Sequence, residues 1–188
     1  EYMNEDSVEK LLGKSTSNST EQVHTSMLDK VKSNPYTVVL FDEIEKANPK
    51  ILDLFLQLID EGKLTSTNGE VVDFTNAILI FTSNIASNLI LESLESKMMW
   101  EETKNRVMIE LKQAIRPELF NRFDGIVVFH PQNLENLSII SDKLLDELYT
   151  RMHEKNIELD WDPTIPMLIA SKAYEPGFGA RPIRRYIQ

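Results

Sequence analysis

Residues Thr37-Val38-Val39-Leu40-Phe41 form a short, unbroken apolar run, rich in β-branched side chains, that ends on the acidic pair Asp42-Glu43. A run of this length without polar alternation suits a strand buried on both faces of a parallel sheet. It narrows the fold sharply, because parallel strands need long crossover connections, and these are usually helices. The flanking sequence agrees. Pro49 stands where a helix can begin, and Ile51, Leu52, Phe55, Leu56 and Ile59 form an apolar stripe that stops at Gly62. Lys63 to Phe74 reads as a hairpin around the turn pair Asn68-Gly69. Ala77 to Thr82 is a second buried strand. Ile126 to Phe129 is a third, after a helix carrying Val107, Ile109, Leu111 and Ile115. Strands separated by helices indicate an α/β domain with a largely parallel sheet.

The character changes on either side. Lys14 to Thr20 is almost free of apolar residues and reads as a mobile loop. A helical pattern follows through Val23, Met27, Leu28 and Val31, closing near Asn34-Pro35. Beyond Pro131, the residues Leu137, Ile140, Leu144, Leu148 and Met152 lie on one face of a long helix. A short Ile157-Glu158-Leu159 strand and two further helical pieces complete the chain. These features place a boundary near Pro131-Gln132, between an α/β segment, 1–131, and a mainly helical one, 132–188.

Composition excludes several functions. With no cysteine, disulfides and thiolate metal sites are ruled out. His24, His130 and His153 lack ligand-like spacing, which argues against zinc. A net charge of −10 argues against nucleic acid as a partner. No apolar run nears the ~20 residues of a membrane span. The chain starts at Glu1 without methionine, as expected of a piece of a longer protein, so a missing leader does not define the compartment.

Asp42 and Glu43 are the most informative residues. Ligands of α/β sheets bind at the carboxyl ends of strands, so both carboxylates are expected to project into that crevice. An aspartate placed there can hold Mg²⁺ on phosphates, and a neighbouring glutamate can polarise an attacking water. A solvated acidic strand end is the plainer alternative. Asn84 closes Ile80-Phe81-Thr82-Ser83-Asn84 and could orient water or a phosphate oxygen, or simply cap a helix. Arg116 and Arg122 flank Pro117-Glu118-Leu119-Phe120-Asn121, where a guanidinium could stabilise phosphoryl charge or pair locally with Glu118 or Asp124. Arg181 follows Gly177-Phe178-Gly179-Ala180 at an expected helix start.

Taken in order, these elements resemble the Clp-type AAA+ unfoldases. Phe41-Asp42-Glu43-Ile44-Glu45-Lys46-Ala47 is similar to their Walker B segment, and Thr82-Ser83-Asn84 to sensor 1. Arg116 to Arg122 looks like the arginine-finger segment, and Gly179-Ala180-Arg181-Pro182 like sensor 2. The resemblance runs from Glu1-Tyr2-Met3 to the last residue, and it points to the second ATPase domain of the two-ring members. It implies a P-loop NTPase core with a small helical lid, ATP and Mg²⁺ as cofactors, and a hexameric ring of identical chains acting on unfolded or aggregated polypeptides. By the same resemblance Asp42 coordinates Mg²⁺, Glu43 activates water, Asn84 senses the γ-phosphate, Arg181 reaches it from the lid, and Arg122 acts in trans on the next subunit's site. The implied location is the cytoplasm, or an organelle stroma or matrix in a eukaryote.

The sequence departs from the family at two places. No G-x-x-x-x-G-K-[ST] phosphate loop occurs, which is expected of a chain cut upstream of Glu1 and implies poor nucleotide binding and no turnover by these residues alone. The expected pore loop, Lys14 to Gln22, holds neither an aromatic nor a glycine, so it should grip substrate weakly, and the hairpin at Thr65 to Val72 could supply pore contacts instead. Ile85 to Ile115 contains no glycine, which leaves no room for the hydrophobic-Gly-hydrophobic tripeptide of peptidase-coupled relatives and favours a ClpB-like disaggregase. The competing expectations are a degenerate, non-threading ring domain with an assembly or regulatory role, and the ATPase subunit of a Clp-type protease.

Overall fold

The computed structural model describes residues 11–12 and 26–188. The expected pore loop at Lys14 to Gln22, and Val23 of the first expected helix, lie outside the described residues. Of the described residues, those up to Ala86 with Met108–Ile126 form one compact unit, and Ser87–Val107 with Val127–Gln188 form a second.

The first unit opens with α1 (Met27–Ser33). Ser26 caps it, accepting from Asp29 N while the Asp29 carboxylate accepts from the Ser26 amide, a reciprocal capping box. Strand β1 (Val38–Phe41) leads through a 3₁₀ turn (Ile44–Lys46) to α2 (Pro49–Glu61). Asn48 caps α2, Pro49 occupies its first turn, and Gly62 closes it in the left-handed conformation at φ 63°. A Cβ at Gly62 would lie 2.7 Å from Thr75 Cγ2, so a side chain there would strain the backbone and displace that methyl group. The hairpin forms as expected: β2 (Lys63–Thr65) and β3 (Val71–Asp73) are antiparallel, with Leu64 opposite Val72. Strand β4 (Ile78–Phe81) then pairs parallel to β1, with Val38 opposite Ile78 and Phe41 opposite Phe81.

Four expectations need correction. Strand β4 is not buried: Ile78 and Ile80 are exposed, and Leu79 and Phe81 are only partly covered. Strand β1 is buried on one face: Val39 and Phe41 are inside, whereas Val38 and Leu40 are more than half exposed. A continuous apolar run announces a strand but does not report what covers each face. The Ile126–Phe129 run joins no sheet among the described residues, where β1 pairs only with β4, and Val127 and Phe129 are exposed. Ile157–Leu159 likewise forms no strand. A strand exists through its ladder, and three or four apolar residues cannot specify a partner.

The core of this unit packs α1, α2, the hairpin and the inner face of β1. Ile51, Phe55 and Leu58 of α2 are buried with Leu28, Val31, Leu64, Val72 and Phe74. Leu58 is the buried residue that the sequence stripe omitted, while Leu52 and Leu56 are only partly covered. A chain of four phenylalanines runs from the core outward: buried Phe55 lies 4.5 Å from buried Phe41 and 5.3 Å from half-buried Phe81, which is in turn 5.5 Å from half-buried Phe123.

Helix α3 (Ser87–Glu95), absent from the sequence-based expectation, is followed by α4 (Trp100–Ala114) and the short α5 (Pro117–Phe120). In the second unit, α6 (Leu134–His153), α7 (Ile165–Ala173) and α8 (Arg181–Ile187) pack through Leu137, Leu144, Leu145, Ile169, Ala170 and Ile183. Ala170 is fully buried, and its lack of side-chain bulk lets the helices approach closely. Among the described residues no helix is long and apolar enough to cross a membrane.

Candidate functional site

The parallel register aligns the carboxyl ends of β1 and β4, so Asp42 and Thr82 leave the sheet side by side. The chain after β1 turns sharply. Glu43 adopts φ 57° and ψ 53°, the left-handed region, where a β-carbon is crowded. Such a conformation costs about 1–3 kcal/mol and survives only when neighbouring contacts impose it. Those contacts come from across the sheet. The Thr82 amide donates to Phe41 O at 2.9 Å, and Thr82 O accepts from Ile44 N at 3.0 Å. The Thr82 hydroxyl accepts from Glu43 N at 3.1 Å and donates to Asp42 Oδ1.

The glutamate side chain is held as well. Asn84 Nδ2 donates to Glu43 Oε1 at 3.2 Å, and Lys46 Nζ lies 2.9 Å from Glu43 Oε2. The Asn84 amide donates to Glu45 Oε1 at 3.2 Å. The hydrogen bond to Glu43 holds the Lys46 ammonium above the usual lysine range, helped by the charges of Glu43, Glu45 and Asp42. Asp42 and Asn84 are exposed and Glu43 is half-buried, so the group faces solvent at the strand ends.

The structure therefore brings together Asp42, Glu43 and Asn84. Arg122 lies in the same unit, just after α5, where its Nε pairs with Asp60 at 2.8 Å. Arg116 pairs with Asp53 at 2.5 Å. Both partners lie on α2, so the local alternatives Glu118 and Asp124 are not the ones used. Arg181 belongs to the second unit, exposed at the first position of α8, with its amide 3.4 Å from Phe178 O. Sequence reasoning gave no role to Thr82, Glu45 or Lys46. Only the three-residue spacing of Glu43 and Lys46 was a local signal, since Thr82 meets the acidic pair through sheet register.

Among the described residues no group of three or more His, Asp or Glu could by itself hold a metal. That donor set still fits Mg²⁺, which usually takes one or two carboxylates together with phosphate oxygens and water. Asp42, exposed and with one oxygen bonded by Thr82, could supply such a carboxylate.

A parallel strand pair joined through a crossover helix, with acids and a polar residue at the carboxyl ends, is the arrangement of an α/β domain with its site at the strand ends. Comparison with known proteins refines the class. The family model described as "AAA domain (Cdc48 subfamily)" matches residues 1–126, and "C-terminal, D2-small domain, of ClpB protein" matches residues 133–188. The chain belongs to the AAA domain family and carries, in this order, the two parts of a ClpB-like second ATPase domain. The chaperone protein ClpB of Clostridium perfringens is 38% identical over 187 residues, and that of Lactococcus lactis subsp. cremoris 39% over 188. Each match covers 100% of this chain and 22% of the relative, so the chain spans about a fifth of their length. A solved Saccharomyces cerevisiae Hsp104:casein complex superposes with a TM-score of 0.81 at 34% identity, covering 97% of this chain and 32% of that one. A closed state of Hsp104 with ATPγS and casein gives 0.83 at 33% identity, covering 99% and 32%.

Proposed function

We propose that this chain works within the second ATPase domain of a ClpB-like hexameric chaperone that couples ATP hydrolysis to protein unfolding and disaggregation. The observation that carries the reading is the hold on the acidic pair. Asp42 is fixed by a hydroxyl, and Glu43 is kept in a left-handed backbone with both carboxylate oxygens engaged. A degenerate ring domain serving only assembly would have no use for that strain.

In this reading Asp42 is the protein ligand of Mg²⁺. Bound MgATP supplies the phosphoryl group that water attacks. Glu43 orients that water and takes its proton, once one of its two hydrogen-bonded oxygens is released. Asn84, 3.2 Å from Glu43, can exchange that partner for a γ-phosphate oxygen and so couples the nucleotide to the base. Arg181, at the first position of α8, would serve as the lid cation for the γ-phosphate. Arg122 serves the neighbouring subunit's site, where its planar guanidinium suits phosphoryl oxygens. The match to Hsp104 solved with casein supports unfolded polypeptide as the client class. The cytoplasm, or an organelle stroma or matrix, is the location consistent with such clients.

ATP turnover by the full-length protein, wild type against Glu43→Gln, tests the assignment. Loss of the base should lower turnover by roughly 10²–10⁴-fold. Equal rates in the two proteins would overturn the reading.

A further inference from the structure

We infer that Thr82, rather than the chain around the acidic pair, sets the geometry in which Asp42 and Glu43 work. The inference deepens the ATPase reading and rests on it for its catalytic consequence. One residue of β4's carboxyl end makes four hydrogen bonds to four consecutive residues of the facing turn. Its amide bonds Phe41 O at 2.9 Å and its carbonyl bonds Ile44 N at 3.0 Å. Its hydroxyl accepts from Glu43 N at 3.1 Å and donates its proton to Asp42 Oδ1.

The two main-chain bonds are available to any non-proline residue at position 82. The two hydroxyl bonds are not, and they are the ones that touch the acids. A hydroxyl can donate and accept at once, which is the combination needed to face an amide N–H and a carboxylate oxygen together. The donated bond fixes the Asp42 carboxylate through one oxygen. The accepted bond anchors the amide of a residue at φ 57°, a backbone that glutamate does not choose unaided. Thr82 is thus a positioning residue: it acts through Asp42 on the metal and through Glu43 on the water, without touching either. Orientation of a ligating or reacting group by a partner behind it is worth roughly 10- to 100-fold in metal affinity or rate.

Three variants of the full-length protein test this. Thr82→Val keeps shape and both main-chain bonds but removes the hydroxyl, Thr82→Ser keeps the hydroxyl, and Thr82→Ala removes it without adding a methyl, in case the valine variant unfolds. Thr82→Val should lower turnover by roughly 10- to 100-fold and raise the Mg²⁺ concentration needed for half-maximal binding of a fluorescent ATP analogue, whereas Thr82→Ser should restore most of both. Without nucleotide, hydrogen exchange in the peptide spanning residues 41–46 should be faster in Thr82→Val and Thr82→Ala and unchanged in Thr82→Ser. Wild-type exchange and Mg²⁺ dependence in Thr82→Val, or a serine variant as impaired as valine, would overturn the inference. If Glu43→Gln leaves turnover untouched, the ATPase reading falls and takes the catalytic role of Thr82 with it. The exchange result still decides separately whether the hydroxyl holds the turn.

Discussion

Asp29, Asp73 and Asp162 share a device that operates within three residues of sequence. The Ser26 hydroxyl holds the Asp29 carboxyl below the usual range, the Thr75 amide and hydroxyl do so for Asp73, and the Thr164 hydroxyl and amide for Asp162. Each depressed value means that the folded state binds its proton less readily than the unfolded chain does. The stability contributed is therefore present above the unfolded value of 3.8 and is lost as pH falls through the lower folded value. Thermal melts of Asp73→Asn should thus lie below wild type near neutral pH, and the difference should shrink as pH falls below that range. A gap that stays constant into strong acid would show that the Thr75 hydrogen bonds do not favour the charged form. Such pairs are legible in sequence, because Ser-x-x-Asp and Asp-x-Thr close over a turn or a helix start. The Glu43 backbone is not legible in that way: the conformation is imposed by Thr82, thirty-nine positions along the chain.

Helix α2 links the aromatic core to the arginine segment. One face packs Phe55 against the stacked pair Phe41 and Phe81, the last residues of the strands that lead into Asp42 and Thr82. Asp53 and Asp60, seven residues apart and so on one side of the helix, pair with Arg116 and Arg122. The two kinds of contact differ greatly in weight. Phe55→Ala should cost about 3–5 kcal/mol, because it empties a filled, buried site against two other rings. Asp60→Ala breaks an exposed pair and should change stability by less than about 1 kcal/mol. Denaturant unfolding of both variants checks the contrast. A loss on Asp60→Ala as large as that of Phe55→Ala would mean that the Arg122 pair is structural, against a role for that arginine on a neighbour. The limits of α2 were readable from Pro49 and Gly62, whereas the arginine partners of its aspartates were not. Pairing across more than sixty residues depends on where α5 packs, which no local pattern encodes.

For the assembled molecule, the proposed roles of Glu43 and Arg122 make a prediction about subunits. If Arg122 completes the neighbour's site, Glu43→Gln and Arg122→Ala rings are each inactive for a different reason. Mixed rings then contain composite sites with an intact Glu43 from one chain and an intact Arg122 from the next. Turnover should reappear on mixing the two full-length variants and rise with the fraction of composite sites. No recovery in rings shown to exchange subunits would place Arg122 on its own chain's site or in none. The apolar runs, the glycine at α2's end, the caps and the acidic pair after a β-branched strand were determined by the sequence alone, since each rests on interactions spanning a few residues. Which face of β1 is covered, whether Ile126–Phe129 has a strand partner, which carboxylates hold Arg116 and Arg122, and how Thr82 brackets residues 41–44 were decided only by the tertiary structure. Those features depend on register and packing between segments far apart in the chain, and periodicity within a segment carries no information about its distant partner.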